Sequence, residues 1–317
     1  MKTTAHSGYT KTQTSGALAV VTGASLWGLF WIPLRYLDTL GVSALWALTF
    51  VMAAALLPAL IMTVIRSELT DLRQRVTLRA GLVLGLATTL YFIALIYTDV
   101  IRVVFLFYLL PLWTTLSARV IYGEPISIVR LVIMFVALVG LWLLLSEGDG
   151  IPVPRSAGDW CAIASGMCWG ISLSLLRADE NSGAYSRTLV AIGSAMLFSL
   201  LATLWFHLSN STIPSQSSSD GGSSVHTQAL LIALIAISFG ALALYPAMLA
   251  QIWGASRIPA PTATLLTMSE IIVAILSAAI LIGTDLPPMA IVGGSIIIFA
   301  LCLDIVLQMA GSKKPRR

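Results

Sequence analysis

Residues 16–36, GALAVVTGASLWGLFWIPLRY, return in outline at residues 158–178, GDWCAIASGMCWGISLSLLRA. Trp27-Gly28 falls on Trp169-Gly170, 142 positions on, and the same offset carries Gly16 onto Gly158, Leu34 onto Leu176, Arg35 onto Arg177 and, just beyond, Gly41 onto Gly183. Each copy supplies about the 20 apolar residues that a helix needs to cross a hydrocarbon core of about 30 Å. The chain reads as one membrane unit written twice. If each unit crosses an odd number of times, the second enters the bilayer upside down, as an inverted repeat.

Composition agrees with a lipid solvent. Charged residues make up 10% of the 317 and hydrophobic ones 58%, with mean hydropathy +0.93, whereas soluble domains carry about 25% charge. Breaks at charges, Gly and Pro divide the chain into ten spans near 16–36, 41–65, 78–97, 99–119, 127–146, 157–177, 184–208, 228–251, 258–282 and 287–309, here helices 1 to 10. The fold class expected is an all-α polytopic membrane protein of two inverted five-helix repeats. The first repeat is 1–146, the outer connection 147–156, and the second repeat 157–317 with a Ser/Gly-rich outer loop at 209–227. Beyond that loop the offset becomes 160, setting Tyr122-Gly123-Glu124-Pro125 against Ile282-Gly283-Thr284-Asp285.

Lys and Arg give the orientation, because cytoplasmic loops hold the positive excess. Only Arg35, Arg102 and Arg155 fall on one side, and the other fifteen lie opposite, which places both termini in the cytoplasm. The pI near 9.1 is then a matter of topology. The tail Lys313-Lys314-Pro315-Arg316-Arg317 suits a lipid headgroup contact, and nothing calls for a nucleic acid.

Small residues predict close packing. Ala24 and Gly28 correspond to Gly166 and Gly170, small-xxx-small pairs that let backbones approach in lipid, so helices 1 and 6 are expected to be partners near the centre. Gly81 and Gly85 give helix 3 the same device. Pro33, Pro58, Pro111, Pro246, Pro259 and Pro261 each remove a backbone donor at membrane depth, where the freed carbonyl needs a partner or a watery cavity. Helices 4, 8 and 9 therefore become candidates for lining a path. Cys161, Cys168 and Cys302, without CxxC spacing, read as buried small hydrophobes.

Enzyme chemistry lacks its parts. The three histidines, His6, His207 and His226, fall at the tail or the outer side, and there is no HExxH, GxSxG or paired intramembrane Asp. No cofactor or metal is implied. Glu270 is the one acidic residue near the middle of a span, with Thr267 one turn before it. Asp at a helix centre costs about 2.5 to 3.5 kcal/mol on insertion scales, and Glu should be comparable unless it protonates or finds polar company. It reads as a contact for a substrate ammonium, as a protonatable coupling site, or as a carboxyl tying helix 9 to a neighbour. Asp304 reads as interfacial. Arg102, one turn from Asp99, can snorkel or pair with it, and the two are candidates for an outer gate.

Aromatic residues are the second signal. Trp and Tyr normally gather at the interfaces, but Trp27, Tyr91, Tyr108, Trp113, Trp169 and Tyr245 are placed deeper. With polar handles on flat rings, they suit a cavity for an amphipathic or cationic solute. Packing against core or lipid is the competing reading for each, and Trp31, Tyr97 and Trp253 suit an interfacial belt.

Leu95-Ile96-Tyr97-Thr98, Leu109-Leu110-Pro111-Leu112 and Tyr122-Gly123-Glu124-Pro125, together with the two Trp-Gly pairs, resemble the drug/metabolite transporter superfamily in its ten-helix EamA-type branch. The second half departs from that pattern. Ile271 follows Glu270 where a proline is expected, and Gly283-Thr284-Asp285 replaces Gly-Glu. Tyr91, Tyr108 and Trp169 look like the aromatic positions of YddG-type amino-acid exporters. The resemblance implies a basket of helices 1, 3, 4, 6, 8 and 9 around a central cavity, with helices 5 and 10 peripheral. It implies export of small metabolites, most of all amino acids, across an inner membrane by alternating access. Phosphorylated cargo would want Lys or Arg at cavity depth, and none lies at mid-span. Multidrug or other metabolite efflux remains the alternative within transport. A non-transporting scaffold or lipid-modifying enzyme is the alternative outside it.

Overall fold

A computed structural model describes residues 11–145, 153–178, 183–209, 225–283 and 287–311. The basic tail, most of the Ser/Gly-rich loop and most of the outer connection lie outside the described residues. Within them the chain is helical, and no strand is found. Ten helices are long and apolar enough to cross a membrane. They are helix 1 Thr12–Thr39, helix 2 Ala44–Ile65, helix 3 Arg75–Tyr97, helix 4 Val100–Tyr122, helix 5 Ile128–Leu145, helix 6 Ala157–Ala178, helix 7 Ala184–Leu208, helix 8 Gln228–Ala255, helix 9 Ala260–Ile282 and helix 10 Pro288–Leu307. These ends differ from the sequence-based ones by a few residues. The protein is a multi-pass membrane protein.

Its surface suits lipid. Large side chains such as Leu57, Val120, Phe135, Trp205, Leu242 and Ile280 face outward, while Ala, Ser and Thr crowd the interior. Buried hydroxyls spend their protons on their own helices: those of Thr49, Thr63, Thr88, Thr114 and Thr264 donate to the carbonyl four residues back at 2.7–3.0 Å. Lipid offers no acceptor, so such back-bonding is what allows hydroxyls to be buried there.

Helix 3 packs along helices 6 and 7, and helix 1 along helix 8. Helix 2 meets helix 7, and helix 5 pairs with helix 10 at the periphery. Helix 6 also packs on helix 4, as helix 1 does on helix 9. Helices 1 and 6 are therefore not the packed pair that their small residues suggested. The glycines face other helices: a Cβ on Gly28 would run into the Glu270 carbonyl in helix 9, and one on Gly170 would meet Thr114 in helix 4.

Several helices are broken. Helix 1 loses regularity between Trp27 and Trp31. Helix 4 divides into Val100–Phe107 and Leu110–Tyr122, because Pro111 has no N–H for the Phe107 carbonyl, which instead lies against Gly166 of helix 6. Helix 9 divides after Thr267 and resumes at Ser269, although Ile271 stands where a proline was expected. Helix 8 takes a π turn over Gly240–Leu244, ahead of Pro246. Helices 4 and 9 both end on a left-handed glycine, Gly123 at φ 73° and Gly283 at φ 74°, where a Cβ would be strained.

Contacts repeat under the two offsets. Gly16 lies against Gly254, Arg257 and Ile258, and Gly158 lies against Ala94, Tyr97 and Thr98. The breaks at Tyr108 and Met268 and the two glycine caps are likewise 160 positions apart.

Candidate functional site

At the breaks of helices 1 and 4, six aromatic side chains close a ring. Trp27 meets Phe30 at 5.2 Å between centroids and Trp169 at 6.3 Å. Trp169 meets Phe107 at 5.8 Å, and Phe107 meets Tyr91 at 5.1 Å. Tyr91 meets Phe92 at 6.1 Å, and Phe92 returns to Phe30 at 5.8 Å. Every contact is edge to face, at 66–85°, the arrangement favoured by ring quadrupoles. Helices 1, 3, 4 and 6 each contribute. Tyr108 leans on Phe107 at 5.1 Å, and Phe239 of helix 8 stacks on Phe30 at 5.2 Å.

Glu270 stands beside this ring. The break in helix 9 puts it in the first turn of Ser269–Ile282, half-buried, where the Tyr108 hydroxyl donates to its Oε2 at 3.2 Å. Its backbone carbonyl lies against Gly28, next to Trp27. Tyr91 is within electrostatic reach. Faces of aromatic rings, a carboxylate and phenol groups together can hold a cation with an apolar body.

Five of the expected residues thus come together: Trp27, Tyr91, Tyr108, Trp169 and Glu270. Thr267 joins them through its backbone only, since its hydroxyl donates to the Thr264 carbonyl at 2.6 Å while its own carbonyl faces the Tyr108 hydroxyl at 3.5 Å. Trp113 is half-buried and makes no ring contact among the described residues. Tyr245 lies elsewhere, within electrostatic reach of Tyr185, Glu68 and Arg66. Trp31 ties helix 1 to helix 9, its indole donating to Ser277 at 2.9 Å. Phe30, Phe92 and Phe107 were missed, because a search for polar handles passes over phenylalanine. Their one sequence signal is closeness to Trp27, Tyr91 and Tyr108.

Asp304, near the C-terminal end of helix 10, is packed inside the protein at 3% exposure. One pairing needs correction. Arg102 does not pair with Asp99, whose carboxylate caps its own helix by accepting from the Ile101 N–H at 2.8 Å. Its partner is Asp159 at the start of helix 6, bonded from Nη2 at 2.7 Å and from Nε at 3.2 Å. Asp159 also accepts from Thr98 at 3.1 Å and from the N–H groups of Arg155 and Ser156 at 2.8 and 3.0 Å. The Ser156 hydroxyl oxygen in turn accepts from the Asp159 N–H at 3.1 Å, which makes a reciprocal cap. That Ser-x-x-Asp spacing was the readable signal. The cysteines are free, and none is as buried as expected: Cys161 and Cys168 are half-buried and Cys302 is exposed on helix 10.

With helices 1 to 5 and their aromatic residues in place, the first half can be compared with known proteins. Residues 14–146 match the EamA-like transporter family. The EamA-like half thus includes Trp27, Phe30, Tyr91, Phe92, Phe107 and Tyr108, while Trp169 and Glu270 come from beyond the match. A solved crystal structure of another protein, 17% identical, aligns with TM-score 0.69 over 93% of this chain and 97% of that one, so its fold extends across all ten helices. No curated protein matches the chain. The apolar groove between helices 5 and 10, which includes Phe135, Val139, Ile291 and Phe299, contains none of the ring residues.

Proposed function

We propose that this protein exports small solutes, foremost amino acids, across an inner membrane by alternating access between two inverted five-helix repeats, both termini cytoplasmic. The carrying observation is the mid-span aromatic ring with Glu270 at its side. A carboxylate among aromatic rings gives an ammonium a counter-charge, ring faces to lie over and a low-dielectric surround. The EamA-like match of the first half supports a transporter of small molecules. Recurrence of contacts under the two offsets supports a repeat, and two pseudo-equivalent halves can exchange conformations so that one central site faces each side in turn. Efflux of cationic drugs is the second reading, because ring and carboxylate alone accept a cation of any kind.

Purified protein in liposomes, assayed for flux of the twenty amino acids and a set of hydrophobic cations, tests this. Flux of at least one amino acid is expected. Trp169→Ala should lower it at least about tenfold while membrane abundance stays near wild type, since removing one aromatic ring forfeits on the order of 1–3 kcal/mol of contact. Disappearance of that variant from the membrane would make Trp169 a packing residue. Flux of cations alone would favour the second reading, and flux of nothing would end both.

A further inference from the structure

Three buried N–H donors around the ring have no acceptor. The indole nitrogens of Trp27 and Trp169 and the side-chain amide nitrogen of Gln251 find none among the described residues. Trp27 is 9% and Gln251 6% exposed. A buried donor left unpaired costs about 1–3 kcal/mol. Donors left so inside a membrane protein suit an acceptor that arrives from outside.

They are near one another. Gln251 of helix 8 sets its Cγ against Gly23 of helix 1, and Trp27 follows Gly23 by one turn on the same face. Trp27 then meets Trp169, its neighbour in the ring. Glu270 belongs to the same neighbourhood, its backbone against Gly28 and its carboxylate bonded by Tyr108, which touches Phe107, the neighbour of Trp169.

The repeat points to Gln251 independently. Gly23 lies against the Ala247 carbonyl and Gln251. Its counterpart by the first offset, Ser165, donates its hydroxyl to the Ala87 carbonyl at 2.6 Å. The second offset carries Ala87 onto Ala247 and Tyr91 onto Gln251. Gln251 thus holds in the second half the place that Tyr91, a ring member, holds in the first.

We propose that Gln251, Trp27 and Trp169 form a donor pocket for the carboxylate of a zwitterionic solute, with Glu270 left to its ammonium. The inference rests on the transport reading above and narrows its substrate class to α-amino acids, as against amines and quaternary cations. A carboxylate accepts several N–H bonds at once, and charge-assisted bonds are roughly twice as strong as neutral ones. No Lys or Arg stands at mid-span to take that role. Neutral donors on one side and a single carboxylate on the other match a molecule whose own charges sum to zero. In an α-amino acid those charges are a few bonds apart, in keeping with Glu270 lying beside Gly28 and Trp27.

Binding to purified wild type, Gln251→Met and Gln251→Glu tests the pocket. The probes are the twenty L-amino acids, then the tightest of them and its decarboxylated amine, with the unliganded melting temperature as the check on folding. In Gln251→Met the amino acid should bind about tenfold or more weakly and the amine nearly as before, the size expected for one hydrogen bond to a charged group. Gln251→Glu, which sets a like charge against the substrate carboxylate, should lose the amino acid and bind the amine more tightly than wild type does. Amino-acid affinity unchanged in a folded Gln251→Met overturns the pocket. So does an equal loss for acid and amine, or wild type that binds amines and no amino acid. The transport reading fails by a different result, absence of flux in liposomes.

Discussion

Glu270 is held by one hydroxyl, that of Tyr108 at 3.2 Å, and a carboxylate has room for about four hydrogen bonds. The spare capacity separates a coupling or binding group from a structural one, and Glu270→Gln isolates it, because the amide keeps the shape and the Tyr108 contact but neither charge nor titration. If Glu270 couples protons, the variant should still exchange labelled substrate across liposomes but lose its response to a pH gradient. If it pairs with the ammonium, exchange of amino acids should fall and that of uncharged analogues much less. Wild-type behaviour in both assays would leave it a structural tie, with the solute's own gradient driving flux. Residue type was a good guide where the cost of placement is large: a mid-span carboxyl and deep Trp and Tyr stand out by composition, and five of them do assemble. It was a poor guide where the cost is small. Phe30, Phe92 and Phe107 pass as ordinary apolar residues, and Gln251 carries no charge to draw notice, though an unpaired amide at membrane depth is as informative as a carboxyl.

Single-helix patterns gave the ends of the ten spans to within a few residues, since hydropathy and charge are local, but partners across helices depend on where distant segments meet. Arg102 illustrates this. Its nearest acid in sequence, Asp99, is consumed in capping, while Asp159, 57 positions on, joins it at 2.7 Å with no exposed side-chain surface. The same misreading made helices 1 and 6 partners, when their glycines serve helices 9 and 4. The Arg102–Asp159 cluster binds the ends of helices 3, 4 and 6 together, so opening a path between them requires breaking it. Asp159 is buried but Arg102 is 29% exposed, so losing the pair costs less than the about 3–5 kcal/mol of a fully buried one, and Asp159→Ala loses the reciprocal cap as well. That variant should melt at distinctly lower temperature in detergent, with Asp159→Asn in between because its amide oxygen still accepts from Ser156 and Arg155. Equal melting temperatures for Asp159→Ala and wild type would reduce the cluster to a surface contact. A gate role adds a further expectation, faster exchange per folded Asp159→Asn molecule, whereas a purely structural cluster would leave that rate unchanged.

Across the whole molecule, two offsets relate the halves, 142 positions for the first two helices of each and 160 for the last three, and the difference is accounted for by the Ser/Gly-rich stretch after helix 7. Under them, contacts at Gly16 and Gly158, breaks at Tyr108 and Met268, and caps at Gly123 and Gly283 coincide. Beyond Trp27 and Trp169 the ring does not repeat: the second-half counterparts of Tyr91, Phe92 and Phe107 are Gln251, Ile252 and Thr267. Similar contacts with unequal side chains fit the proposed alternation about one central site, in which each half would adopt the other's shape while only one set of groups reads the solute. Five helices per half is odd, so the proposed inverted repeat and the distribution of positive charge predict the same topology. Reporter fusions at Arg73 and at the C-terminus should both report cytoplasm, and one at Ser218 the opposite side. Arg73 precedes helix 3 and Ser218 follows helix 7, so an odd number of crossings separates them in the ten-helix count. A cytoplasmic signal at Ser218 would mean that one segment between them, most plausibly a broken one such as helix 4, does not cross. The halves would then be parallel or unequal, and the shared contacts would have to be explained without exchange of shape between them.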